Sequence, residues 1–245
     1  MLTPLLGLLA ALLVSGLLTA TKLLSLAGSI LPGILAFVGV VLLLLRRTSQ
    51  RIEPLVKEAE RHIAGGRAEL ALQTLDRGLY WGRWHPLIPA QLRSMIGTLQ
   101  FDLGRLEEAE KNLAAAIRWP WITKALLGVV YFKRRDEPKM VKAFETAVNV
   151  GKKEPLAWTL YAYCMLARSK KDEAVKILER ALKENPGDGR LEANLELAKT
   201  GKKLKTAPYG DKWSRFRLDG EGPPLPKAAR GFTVRPGFRQ RARRR

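Results

Sequence analysis

Cysteine, histidine and, over one long stretch, charge are what this 245-residue sequence has least of. His62, His85 and Cys164 are its only imidazoles and thiol, too few for a His/Cys zinc cage, and one thiol cannot form an internal disulfide framework. A lone cysteine agrees with a reducing compartment. No glycine-rich loop of the Walker or dinucleotide type occurs. His85 precedes Pro86 in a loop, His62 falls among apolar helix positions, and Cys164 adjoins Met165 on an apolar face. None has a visible nucleophile or acid beside it, so no catalytic constellation is legible, no cofactor or metal is expected, and the pattern argues against an enzyme.

Charge is missing from the first 45 residues, where Lys22 stands alone among Leu, Ala, Gly, Val, Ser and Thr. One helix over that length would be about 65 Å long, roughly twice the hydrocarbon thickness of a bilayer. The stretch is therefore expected to fold back at Thr19-Ala20-Thr21-Lys22 into spans of about residues 4–20 and 23–45, a transmembrane helical hairpin occupying 1–47. Pro32-Gly33 inside the second span predicts a kink, with a re-entrant segment as the alternative. A cleaved signal peptide fits poorly, because no basic residue precedes the apolar run and the run is too long. Arg46, Arg47 and Arg51 follow the second span and only Lys22 marks the other side, which predicts an integral inner (plasma) membrane protein with both termini cytoplasmic.

From residue 48 to 203 the composition becomes that of amphipathic helix, and the chain resembles itself at an interval of 34 residues. The clearest unit is 155–188, with Trp158, Tyr161, Ala162 and Met165 on a first helix, Ala174, Leu178 and Ala181 on a second, and Pro186 closing it. These occupy positions 4, 7, 8, 11, 20, 24, 27 and 32 of the period. The pattern resembles the tetratricopeptide repeat, in which small residues at 8, 20 and 27 let two helices approach and large ones at 4, 7, 11 and 24 fill the space between them. Unit 121–154 follows it with Leu127, Gly128, Tyr131, Phe144 and Ala147, but has Met140 at position 20, which predicts a splayed pair. Unit 90–120 carries Ile96, Gly97, Gly104, Ala109, Leu113 and Ala116; the most degenerate unit, 52–85, carries Leu55, Ala59, His62, Gly66, Ala71, Leu75 and Gly78. A polar-faced helix in 189–203 would cap the stack. The expected fold is all-α: a superhelical solenoid of about four helix pairs plus a cap, behind the hairpin.

In the family resembled, partners lie on the concave face, built by the first helix of each pair. Carried over position by position, that face here holds Gln91, Ser94, Thr98, Phe101 and Asp102, then Ile122, Ala125, Val129, Phe132 and Lys133, then Leu156, Thr159, Tyr163, Leu166 and Ala167. Val56, Ser94, Ala125 and Thr159 stand where carboxylate-gripping members carry convergent cationic and amide donors, so recognition of a chain terminus is disfavoured. An apolar or aromatic peptide segment is the better-matched partner, with Phe101, Phe132 and Tyr163 as anchors. Packing of Phe132 and Tyr163 between neighbouring helices is the competing reading.

Periodicity stops at Leu204. Residues 201–245 hold 14 Lys and Arg against 3 Asp and Glu, more than half of the chain's net charge of +20. Such a tail, 204–245, has too little apolar surface to fold alone and is expected to be disordered without a partner. Three partners fit it. Anionic lipid headgroups would attract its basic residues. Nucleic acid or a ribosome would contact Arg215, Arg217, Arg230, Arg235, Arg239, Arg241, Arg243, Arg244 and Arg245 through phosphates and stack on Trp213, Phe216, Phe232 and Phe238. Alternatively, Tyr209, Trp213 or Phe216 would fold back onto the solenoid. Pro223 to Pro226 reads as a spacer. The expected function is a scaffold that gathers proteins at the cytoplasmic face of a bacterial inner membrane; the layout is similar to that of bacterial membrane proteins with two spans ahead of tetratricopeptide repeats, a likeness of architecture alone that transfers no function, and the alternative is a membrane-tethered nucleic-acid or ribosome binder working through the tail.

Overall fold

The computed structural model describes residues 2–21, 26–85 and 87–218. Its helices are α1 (Leu2–Ala20), α2 (Leu26–Ala64), α3 (Ala68–Leu79), α4 (Ile88–Asp102), α5 (Leu106–Ala115), α6 (Trp121–Lys133), α7 (Glu137–Val150), α8 (Pro155–Leu166), α9 (Lys171–Glu184), α10 (Gly189–Lys199) and the single turn α11 (Asp211–Ser214). Among the described residues there is no strand. Local chemistry sets several of the ends. Asp136 and Asp188 accept hydrogen bonds from the free amides of the first turns of α7 and α10, and Pro155 opens α8, where its missing N–H costs nothing. Between α2 and α3 and between α4 and α5 the chain reverses through Gly66 and Gly104, both at positive φ, where a side chain would be strained.

The helices from the second half of α2 to α9 pair in sequence, α2 with α3, α4 with α5, α6 with α7 and α8 with α9, and α10 packs on α9. The small-residue positions explain the close approach. A β-carbon on Gly97 would lie 2.8 Å from Leu113, and one on Gly128 would lie 2.8 Å from the Phe144 ring. Phe144 is fully buried and stacks on Tyr161 of the next pair at 5.3 Å, so one side chain serves both contacts within a pair and contacts between pairs. This is an all-α solenoid of four helix pairs with a capping helix.

Three expectations change. Met140 does not splay its pair: it is fully buried, and α6 and α7 stay closely packed, as an unbranched, adaptable thioether allows. The second apolar segment is not re-entrant, since α2 continues through Pro32 and Pro54. The boundary expected at residue 47 falls inside this one helix, which serves both the apolar segment and the first repeat. Finally, order does not end at Lys203: Leu204, Tyr209, Trp213 and Phe216 are buried against the solenoid. Lys22, at the expected reversal, lies outside the described residues, as do residues 219–245.

Helices α1 and α2 are antiparallel. A β-carbon on Gly7 would meet Val41 at 2.7 Å, one on Gly33 would meet the Ser15 hydroxyl at 2.3 Å, and Ser15 donates to the Ser29 carbonyl at 3.0 Å. Both helices are long and apolar enough to cross a membrane.

Candidate binding groove

The first helices of the later pairs, α4, α6 and α8, line a groove, and residues 204–218 of the same chain lie in it. Asn194 of α10 starts the segment off: its amide accepts from the Lys205 N–H at 2.7 Å and donates to the Lys205 carbonyl at 3.3 Å, a two-point grip on one residue's backbone by a fully buried side chain. A short turn over Ala207–Tyr209 follows, and Gly210, at φ 49°, redirects the chain into α11.

Three aromatic side chains then enter the groove. The Tyr209 hydroxyl pairs with the buried Thr159 hydroxyl at 2.8 Å, and the Arg190 guanidinium covers the Tyr209 ring at 5.4 Å. Trp213 meets Tyr163 edge-on at 5.1 Å. Phe216 lies nearly parallel to Trp121, 6.4 Å away, and is 1% exposed. At the far end the Arg217 guanidinium donates to the Asp102 carbonyl, while the Lys133 ammonium donates to the Arg217 carbonyl at 2.9 Å. The segment thus runs from α10 across α8 and α6 to the end of α4.

Burial sets the electrostatics. The Asp102 carboxyl is pushed up to about 6 by desolvation, against the opposing pull of Arg217 and Arg215. Desolvation, with the neighbouring Arg217 charge, lowers the Lys133 ammonium below the usual lysine range. Burial also raises the Tyr209 phenol, so this hydroxyl stays a neutral donor or acceptor.

The residues expected on the concave face divide by role. Thr159, Tyr163 and Lys133 touch the segment directly. Phe101 and Val129 belong to the same buried cluster as Tyr209, Trp213 and Phe216, and Phe132 packs against that cluster beneath the Arg168 guanidinium, 5.0 Å from its ring. Ser94 shares a hydrogen bond with Thr123 at 2.7 Å, and Thr98 donates to the Ser94 carbonyl, so both hydroxyls are engaged within the solenoid. Gln91 is half-buried in the first turn of α4. Of the basic tail residues, Arg215 and Arg217 are described and sit beside Asp102. Arg230, Arg235, Arg239, Arg241, Arg243, Arg244 and Arg245 lie outside the described residues. Trp121, Asn194 and Arg190 were not among the expected site residues. Trp121 stands one residue before the concave-face positions of its unit, and the other two belong to the helix read only as a cap.

Residues 90–120, which span α4 and α5, match the profile described as Tetratricopeptide repeat. The same spacing governs the pairs on either side. One tetratricopeptide repeat is thereby identified, over α4 and α5. Among solved structures, the crystal structure of MamA matches with 18% sequence identity and a TM-score of 0.46, covering 61% of this chain and 87% of that one. No curated protein matches the sequence. Tetratricopeptide-repeat proteins are in general interaction scaffolds rather than enzymes, because stacked helix pairs create an extended concave surface.

Proposed function

We propose that the protein is a membrane-anchored adaptor that gathers partner proteins at the cytoplasmic face of a bacterial inner membrane. The apolar hairpin α1–α2 is the anchor, and the groove over α4, α6 and α8 is the docking surface. The observation carrying this reading is the groove's own occupant. An aromatic segment with basic residues between its rings, Tyr209 to Arg217, is accepted with ring contacts, a hydroxyl pair and backbone hydrogen bonds. A partner presenting a segment of the same chemistry would make the same contacts on displacing it, and the internal copy sets the affinity such a partner must exceed.

The test is capture in native membranes by the full chain and by a Trp213→Ala/Phe216→Ala variant, each with and without Tyr163→Ala. Opening the groove is expected to raise recovery of a defined protein, and Tyr163→Ala to lower it again. Recovery that ignores all three groove changes, disappears with nuclease and falls steeply with salt would replace this reading with the nucleic-acid or ribosome binder acting through the basic tail, residues 204–245.

A further inference from the structure

The solenoid has two edges, one made by the loops joining successive pairs and one by the turns within pairs. The joining loops touch one another in a row that begins at α1. The Thr3 hydroxyl donates to the Trp84 carbonyl. The Ile117 amide donates to the Ala90 carbonyl at 3.0 Å, Gly151 packs against the Trp121 side chain, and the Asn185 amide donates to the Lys152 carbonyl at 2.8 Å. Along the hairpin, Gly7 faces Val41 and Ser15 faces Ser29 and Gly33, which brings Thr3 level with Leu45, at the end of the apolar run and beside Arg46 and Arg47.

Outside α1 and α2, five large apolar or aromatic side chains among the described residues are exposed: Leu70, Tyr80, Leu87, Trp119 and Val150. All but Leu70 lie on the joining-loop edge. Arg118 and Lys152 accompany them. The opposite edge carries ion pairs that link one helix pair to the next, with Glu69 bound to Arg105, Glu107 to Arg134 at 3.5 Å and Glu137 to Lys170, whereas the pair on the joining-loop edge, Asp188 with Arg190, is local to one loop. Water suits the second edge. Exposed Trp and Tyr with basic neighbours, level with the end of an apolar hairpin, suit the boundary between hydrocarbon and headgroups, where an aromatic ring keeps one end dry and its polar end wet.

We propose that the joining-loop edge is a bilayer-docking surface: Tyr80, Leu87 and Trp119 seat in the interface of the membrane that the hairpin crosses, and Arg118 and Lys152 meet the phosphates of anionic lipids. The proposal rests on the membrane-spanning reading of α1 and α2. It makes the solenoid lie against the membrane instead of standing off it, with the ion-paired edge facing the aqueous side.

Three single-cysteine sites in the full chain, spin-labelled in bilayers of phosphatidylglycerol and phosphatidylcholine, test it by relative accessibility to oxygen and a water-soluble nickel chelate. Cys164 is fully buried and is replaced by Ala so that no second label attaches. A label at Leu35→Cys reports the hairpin, one at Leu87→Cys the proposed docking edge with Trp119 left intact, and one at Glu107→Cys the opposite edge. The expected result is oxygen dominating at residue 35, an intermediate ratio at residue 87 and nickel dominating at residue 107. Adding Tyr80→Ser and Trp119→Ser is expected to shift residue 87 towards nickel. If residue 35 is deep while residue 87 reads as bulk water, the docking proposal is wrong and the anchor stands. If residue 87 is shielded from both reagents, a protein covers the edge and the proposal fails. If residue 35 itself reads as bulk water, the anchor and the docking surface fall together.

Discussion

The hairpin and the solenoid bring helices together by the same device and differ in the side chains they turn outward. In both, glycine sits where two helices touch most closely: Gly7 and Gly33 between α1 and α2, Gly97 and Gly128 between paired helices. In the solenoid the large side chains point into the space the glycines open, and charges cover the outside. In the hairpin the outside is leucine, with Leu12, Leu13, Leu17, Leu31 and Leu35 each about two-thirds exposed. Close approach is thus common to both pairings, whereas the outward faces differ in the way the membrane-spanning reading of the hairpin expects. Gly16 and Gly39 sharpen the point, since among the described residues nothing lies within 4 Å of a β-carbon placed on either.

The largest effect should come from emptying the solenoid side of that comparison. Phe144→Ala removes a fully buried ring that contacts both Gly128 and Tyr161, and is expected to cost about 3–5 kcal/mol in denaturant unfolding of the full chain in detergent. A smaller loss should follow from overfilling the hairpin. Gly33→Val drives a side chain into the Ser15 hydroxyl and should cost about 1–3 kcal/mol. It is read as faster amide exchange in residues 2–20 with residues 88–199 unaffected, whereas Gly16→Val should leave both at the native rate. A Gly33→Val hairpin that exchanged no faster would mean that its helices do not need the close contact.

The smallest effect concerns the groove and depends on pH. The Asp102 carboxyl holds its proton up to about 6 when covered by the segment, against an ordinary value of 3.8. Between those values the folded form binds more protons than the unfolded one, so stability falls as pH rises through that window and is flat above it. Asp102→Asn should flatten the denaturant midpoint between pH 4 and 6 relative to the native chain. An unchanged pH slope would assign the dependence to other groups.

The contacts that were legible in the sequence were those repeated at a fixed interval. Gly97 opposite Leu113 and Gly128 opposite Phe144 follow from positions 8 and 24 of one period, and a pattern stated several times in one chain is hard to misread. Met140 was misread because a size rule ignores how flexibly a thioether fits. The continuity of α2 was hidden by composition: apolar residues give way to charged ones near Arg46, but a helical backbone does not register that change. The groove's occupant left the weakest trace. Thr159 and Tyr209 are 50 residues apart, and Arg217 lies 115 from Asp102, so no local spacing announces either contact. Pro208 and Gly210 looked like the punctuation of a disordered tail; here they shape the turns that lead the chain into α11.

The unbroken length of α2 has a mechanical consequence. At about 1.5 Å per residue its 39 residues form a rod about 58 Å long, of which the first half is apolar and the second half is the opening helix of the solenoid. No loop interrupts the helix where its composition changes near Arg46. A bilayer of different thickness changes the tilt of a spanning helix; in the membrane-spanning reading proposed above, a tilt of the apolar half would pass through the continuous α2 into the first helix pair, so that hydrocarbon thickness would bear on the angle at which the groove is presented.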